Sequence, residues 1–258
     1  MKNILLFLLV LSLNTQADYR VTGAKVCRYA YSTLSRSSKV LPDSQIIKLS
    51  KMSDNYKGTK VVKRYIGKLN LPKDVQEDVY MRIVIHQKKI GTDEAQKMFK
   101  NLKGKEGFNG ALSKVIGNNI QGTKGHLNEL RIANNAAEKG FDVIAIGRKF
   151  DDGFKNSLTD IDVLLKKDGR EILIEAKKYA SSTKMPLDKF RGDLDTLNIY
   201  AKNESKGKTL KVFSFTEKPS DTILLRQYKF WAEKKGIELV FGNPEQQISQ
   251  INMLLKVM

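Results

Sequence analysis

The sequence predicts an α/β (α+β) fold, a mixed sheet flanked by helices and preceded by an all-α basic region. Three observations predict it. Apolar residues recur at helical spacing through the first half, with no strand-like alternation there. The second half alternates helices and strands, the plan of a sheet covered by helices. Asp168-Gly169 sits between two strand-like runs, a strong signal for a two-residue hairpin.

The chain begins with Lys2 and an apolar run from Ile4 to Leu13, followed by Asn14-Thr15-Gln16-Ala17 with small residues where a signal peptidase reads. About ten apolar residues are too few to span a bilayer and suit the apolar stretch of an export signal. Residues 1–17 are therefore expected to be a secretory signal peptide, with a secreted or periplasmic product and no stable membrane insertion after cleavage. An N-terminal membrane anchor is the alternative. Cys27 is the single cysteine, so the chain forms no internal disulfide and its core must hold by packing. No later segment is long and apolar enough to be transmembrane.

Residues 18–120 read as a basic helical region. They hold 21 basic and nine acidic residues, so most of the formal charge of +18 lies there. Val61-Val62-Tyr65-Ile66 and Val75-Val79-Ile83-Val84 carry the helical period, with lysines and arginines on the polar faces. Pro42 and Pro72 stand where helices start, and Thr92 is positioned to cap another before Asp93 and Glu94. Glycine-rich stretches at 104–110 and 117–125 suggest a flexible boundary, which sets a second domain at 121–258. Such a charge favours an acidic partner, either nucleic acid, anionic lipid or an acidic protein. A solvated helical face is the simpler account of the lysines.

The second half is expected to run helix 125–139, strand 141–146, strands 159–166 and 170–178, helix 187–201, strand 210–215, helix 222–235, strand 237–241 and helix 244–257. The Asp-Gly turn sets the hairpin register, with Lys167 facing Arg170. Asp162 then falls opposite Glu175, Asp160 opposite Lys177 and Leu164 opposite Leu173, all on one face. The other face pairs Leu165 with Ile172, Val163 with Ile174 and Ile161 with Ala176, and is wholly apolar.

That register sets two carboxylates about 5 Å apart across the ladder. Like charges in direct opposition destabilise a sheet, and a divalent cation reverses the sign, because hard oxygens are what magnesium, manganese or calcium prefer. Lys177, one step along the same face, is suited to neutralise charge, position a water or stabilise a developing anion. A solvated hairpin face with an Asp160–Lys177 ion pair is the alternative, and such exposed pairs contribute about 0–1 kcal/mol.

Glu129 adds a second line. At about 100° per residue, Leu130, Ile132, Ala133, Ala136 and Ala137 all lie on its side of the helix. An inward glutamate is expensive unless paired or liganded. It is either a capping or ion-paired glutamate, or a third acid aimed at the same site.

Taken in order, the glutamate of "GHLNELRIANNAAEKGFDVI", the aspartate of "TDIDVLL" and the "EAK" of "ILIEAKKY" resemble the PD-(D/E)XK nuclease superfamily, the restriction-endonuclease-like fold. The resemblance covers roughly residues 122–242 and leaves out the basic helical half. The motif's proline is absent, with Ile161 before Asp162. The resemblance implies metal-dependent phosphodiester hydrolysis, with DNA favoured over RNA and endonuclease action favoured over exonuclease action. Asp162, Glu175 and the carbonyl of Ala176 would bind Mg²⁺ or Mn²⁺. Glu129 would reach the ion through water or complete a second metal site, and Lys177 would orient or deprotonate the attacking water. An immunity or inhibitor protein is compatible with such an activity.

On the substrate side, Asp160 flanks the motif aspartate, Lys178 follows the motif lysine, Tyr179 offers a stacking ring and Arg191 lies on the next helix. The basic first half would clamp phosphates without reading sequence. Other chemistries find less support. His86 and His126 are too few for a histidine-rich zinc site. As a metal-free acid–base pair they lie in different halves, and helix-start packing is the simpler account of His126. No Walker-type phosphate loop is present. Two competing readings stay open at this point: an exported basic protein that binds nucleic acid without cutting it, and an interaction protein whose acids form structural ion pairs.

Overall fold

The computed structural model describes residues 41–257, apart from 54–55, 118, 154–157 and 206. The expected signal peptide and Cys27 lie outside the described residues. Helices α1 (Asp43–Met52), α2 (Tyr56–Lys68), α3 (Lys73–His86), α4 (Thr92–Leu102), α5 (Phe108–Ile116) and α6 (Ile120–Glu138) precede strands β1 (Asp142–Phe150), β2 (Thr159–Lys167) and β3 (Arg170–Lys177). Then follow α7 (Leu187–Asn203), β4 (Thr209–Phe215), α8 (Thr222–Lys234), β5 (Glu238–Phe241) and α9 (Pro244–Val257).

Pro42 and Pro72 stand immediately before α1 and α3, as expected of a residue with fixed φ and no N–H. Thr92 is the first residue inside α4, and Gly91 takes the capping position instead. Helix α6 starts five residues before the predicted Gly125. The Asn119 side chain accepts the Gly122 amide at 2.7 Å and satisfies one of the donors that a helix start leaves open. The glycines at 122 and 125 are therefore helical.

The sheet has five strands in the order β1-β2-β3-β4-β5. Strands β1, β2 and β3 are antiparallel neighbours, while β3, β4 and β5 run parallel. Positive φ at Asp168 (51°) and Gly169 (74°) makes the two-residue hairpin turn that the sequence predicts. Lys167↔Arg170 through Val163↔Ile174 keep the predicted register.

Each face of the sheet has its own core. On one face, Val163, Leu165, Ile172 and Ile174 pack with Leu130 and Ala133 of α6, with Ile248 and Ile251 of α9, and onward into α1–α5. On the other, Leu164 and Leu173 meet an aromatic layer of Phe190, Phe213, Phe215 and Tyr228 under α7 and α8. Burial of each large apolar side chain contributes about 1.5–3 kcal/mol. The first cluster runs from Leu41 to Leu255 without a break. The packing thus passes straight across the boundary expected near residue 120. A backbone bond from the Ile146 amide to the Glu106 carbonyl, 2.9 Å, also joins the helical half to β1.

Candidate active site

The pairing of β2 with β3 ends at Val163↔Ile174. Beyond it β2 stays paired with β1 as far as Phe150↔Thr159, and β3 stays paired with β4 as far as Lys177↔Phe215. The sheet forks between its second and third strands. Asp162 Oδ2 accepts the Ala176 amide at 2.7 Å, a donor that a continued ladder would have offered to the β2 backbone. Ile161 accordingly packs with Leu164, Leu173 and the aromatic layer, and not with Val163, Ile174 and Ala176 as an unbroken register requires. The ladder pairs expected for Asp162 with Glu175 and Asp160 with Lys177 are therefore not formed. The fork takes their place.

Glu175 and Lys177 alternate on β3 and share the face toward α7. Lys177 Nζ donates to Glu175 Oε1 and lies 2.9 Å from Asp193 Oδ2 of α7. Only 15% of the Lys177 side chain and 9% of the Glu175 side chain are exposed. The ammonium also lies 5.8 Å from the centre of the Phe213 ring. Burial works against the charged lysine, but Glu175, Asp162 and Asp193 outweigh it and hold its pKa well above the ordinary value. Burial pushes Glu175 up to about 7, with Lys177 pulling against it and Asp193 and Asp160 adding to it. Burial, then the charges of Glu175 and Glu129, hold the Asp162 carboxyl well above the usual aspartate range. The charge of Glu175 thus acts on Asp162 across the fork, although the two do not pair in the ladder.

Glu129 is buried on α6, as its place in the apolar stripe predicts. Its carboxylate is met by His126 Nδ1 at 3.1 Å, one turn earlier. His126 thus partners Glu129 on the helix, and the charge of Glu129 also acts on Asp162.

The remaining residues separate. Lys178 and Tyr179 line an open cleft of about 640 Å³ beside Lys177, together with Gln121 and Lys124 of α6. Asp160 is part-exposed, with Lys114 Nζ of α5 at 3.9 Å in place of the predicted Lys177. Arg191 stacks on Trp231 of α8 at 4.2 Å. Two residues along a helix turn about 200°, so Arg191 is directed away from the side on which Asp193 meets Lys177.

Sequence reasoning misses two partners. Asp193 lies between Phe190, Leu194 and Leu197 on the buried side of α7, and the angular argument that finds Glu129 would also find it. His126 does more than pack at a helix start, and its spacing of three from Glu129 is that of a side-chain pair on one helix face.

Among the described residues no three His, Cys, Asp or Glu side chains converge closely enough to ligate an ion. In this arrangement Lys177 holds Glu175 Oε1 and the Ala176 amide holds Asp162 Oδ2. The donor chemistry nevertheless fits a hard divalent cation. Asp162 and Glu175 are both buried with raised pKa values, and the charge of Glu175 acts on Asp162. Positive charge beside them relieves this, and carboxylate oxygens are the ligands such ions prefer.

Fold and site together define a mixed α/β protein whose five-stranded sheet forks around a buried cluster of acids and one lysine. Comparison with known protein families and with characterised proteins returned no match.

Proposed function

We propose that this protein is an exported, metal-dependent nuclease of the PD-(D/E)XK type, hydrolysing phosphodiester bonds with DNA favoured over RNA. One observation carries the reading: Asp162, Glu175 and Lys177 gather at the fork of a sheet, with Glu129 close enough to act on Asp162. A structural ion pair needs one acid and one base, and perturbed groups of this kind concentrate at functional sites.

Asp162 and Glu175, with the Ala176 carbonyl, would hold Mg²⁺ or Mn²⁺, and Glu129 would contribute through water. When bound, the cation polarises the phosphate and lowers the pKa of its water. Lys177 is kept protonated by three carboxylates. This supports a role in orienting the attacking water and meeting charge on a phosphate oxygen, and argues against proton abstraction by this side chain. Lys178 and Lys124, lining the cleft, would hold the backbone, and Tyr179 would stack a base. Export rests on residues 1–17, and the N-terminal mass of the protein recovered outside the cytoplasm tests it.

The decisive assay incubates plasmid DNA and RNA with Mg²⁺ or Mn²⁺ and, separately, with a chelator. Cation-dependent cleavage that Asp162→Asn abolishes is expected. Intact substrates in every wild-type reaction would overturn the hydrolytic reading. The full neutralisation of Lys177 by Glu175 and Asp193 favours one competitor, an exported protein that binds nucleic acid without cutting it, and retained binding in the same samples would reveal it.

A further inference from the structure

We propose that Lys63 and Lys114 form a phosphate seat that receives the nucleic-acid backbone on the flank of the fork. This rests on the nuclease reading for its substrate, and it gives the basic helical half a part in the same site.

The first observation is composition. Helix α2 carries Lys57, Lys60, Lys63, Arg64 and Lys68, and α5 carries Lys114, while neither helix contains an acid. The second is packing. Gly117, just past α5, lies so close to Thr59 of α2 that an added Cβ would sit 1.6 Å from the threonine oxygen. Lys63 is one turn beyond Thr59 and Lys114 is three residues before Gly117, so this close approach brings together the segments that carry the two lysines. Both are half-buried. Burial and the charge of Lys114 lower the pKa of Lys63, which is the electrostatic mark of that proximity.

The third observation is partners. Among the described residues no carboxylate pairs with Lys63, and Lys114 has only Asp160, whose Oδ2 is 3.9 Å away. Two half-buried ammonium groups, with one acid at 3.9 Å from Lys114 alone, repel each other, and an anion between them removes the repulsion. The location then names the anion. Asp160 joins the seat to the fork, because it meets Lys114 and stands on β2 two residues before Asp162. A phosphate held at Lys63 and Lys114 would therefore lie along the same strand as one presented to Asp162 and Lys177.

The test uses the full chain in an Asp162→Asn background and a labelled DNA duplex. Lys63→Gln/Lys114→Gln is expected to weaken binding about tenfold or more. It should also lower the slope of log affinity against log salt by about two, one for each phosphate that the variant no longer neutralises. Lys63→Arg/Lys114→Arg should keep the affinity. Lys229→Gln/Lys256→Gln, which removes the same charge elsewhere, should change it less than twofold. Thermal melts of each variant separate loss of binding from loss of fold. The proposal is overturned if the glutamine pair matches the Lys229/Lys256 control. It is also overturned if anionic phospholipid vesicles bind wild type more tightly than DNA with the same dependence on the two lysines. Wild type that never cleaves, but whose DNA binding falls with Lys63 and Lys114, would keep the seat and remove the hydrolytic reading. Unchanged binding in the glutamine variant, with cleavage that persists when the same pair is replaced in wild type, removes the seat alone.

Discussion

Two buried carboxylate sites in this molecule obey opposite rules. In the helical half, Glu77 of α3 is fully buried, and its Oε2 accepts the Gly104 amide at 2.9 Å, which ties the end of α4 to α3. Burial raises its pKa, and Lys73 and Lys103 work against that rise. Asp74 adds to the rise, but the Gly104 amide and the two lysines all act against it. At the fork, the charges of Asp162, Glu175 and Asp193 all act on a single lysine, and neighbouring acids add to the raised pKa values of Asp162 and Glu175. The comparison separates an acid that serves the fold from acids that work against it. On the nuclease reading proposed above, the second arrangement serves a bound cation, which would relieve the repulsion.

The largest effects should come from breaking the fork. Asp162→Asn and Glu175→Gln are each expected to lower cleavage by at least about 10²-fold, the scale of losing one transition-state interaction. Asp162→Asn should at the same time raise the melting temperature at neutral pH, since it removes a repelled charge and keeps an acceptor for the Ala176 amide. A variant that loses both activity and stability would reduce Asp162 to a structural acid like Glu77.

Lys177→Met should also abolish cleavage, but with the opposite effect on the fold. It leaves Glu175 and Asp193 without their cation, and removing one partner of a buried pair costs about 3–5 kcal/mol. Denaturant titration of the two variants side by side reads the difference in sign. An equal shift in midpoint for both would show that the cluster is not electrostatically coupled.

Proton linkage sharpens the same contrast. Glu175 rises from 4.5 to about 7 on folding, and Asp162 rises as well. The folded state therefore holds these protons more tightly than the unfolded chain does. Their contribution to stability is fullest below the unfolded values and is lost as pH climbs through about 7. Melting temperatures should fall across that window without divalent cation. Mg²⁺ or Mn²⁺ should offset the fall, because an ion that binds only the folded state stabilises it. A cation effect equal at pH 5 and pH 8 would count against the carboxylates as its ligands.

The sequence carried the hairpin, its turn and the helix–strand order, because each rests on local chemistry: an Asp-Gly pair with positive φ, alternating apolar residues and prolines before helices. Glu129 was legible for the same reason, as a charge on an apolar helix stripe. The fork was not legible. It depends on one side chain, Asp162, competing with the backbone of β2 for the Ala176 amide, and a register argument assumes that the ladder continues. The core packs across the boundary expected near residue 120, and glycine there does not signal freedom. Gly117 instead allows close packing against Thr59, and Gly122 lies inside a capped helix. The neighbourhood of Lys63 and Lys114 follows from that same packing, which no spacing along the chain encodes.

The smallest expected effect lies at the structural acid. Glu77 also carries a raised pKa, with burial as the leading cause, so it too weakens the fold as pH rises above the unfolded glutamate range. Glu77→Gln keeps an oxygen for the Gly104 amide and removes the titration. The variant should show a flatter decline of melting temperature between acid and neutral pH, with cleavage unchanged. Divalent cation should shift wild type and this variant equally, since Glu77 has no part in the fork. If the cation effect instead vanished with Glu77→Gln, the ion would be binding in the helical half, and the division between an acid for the fold and acids for a ligand would have to be reversed.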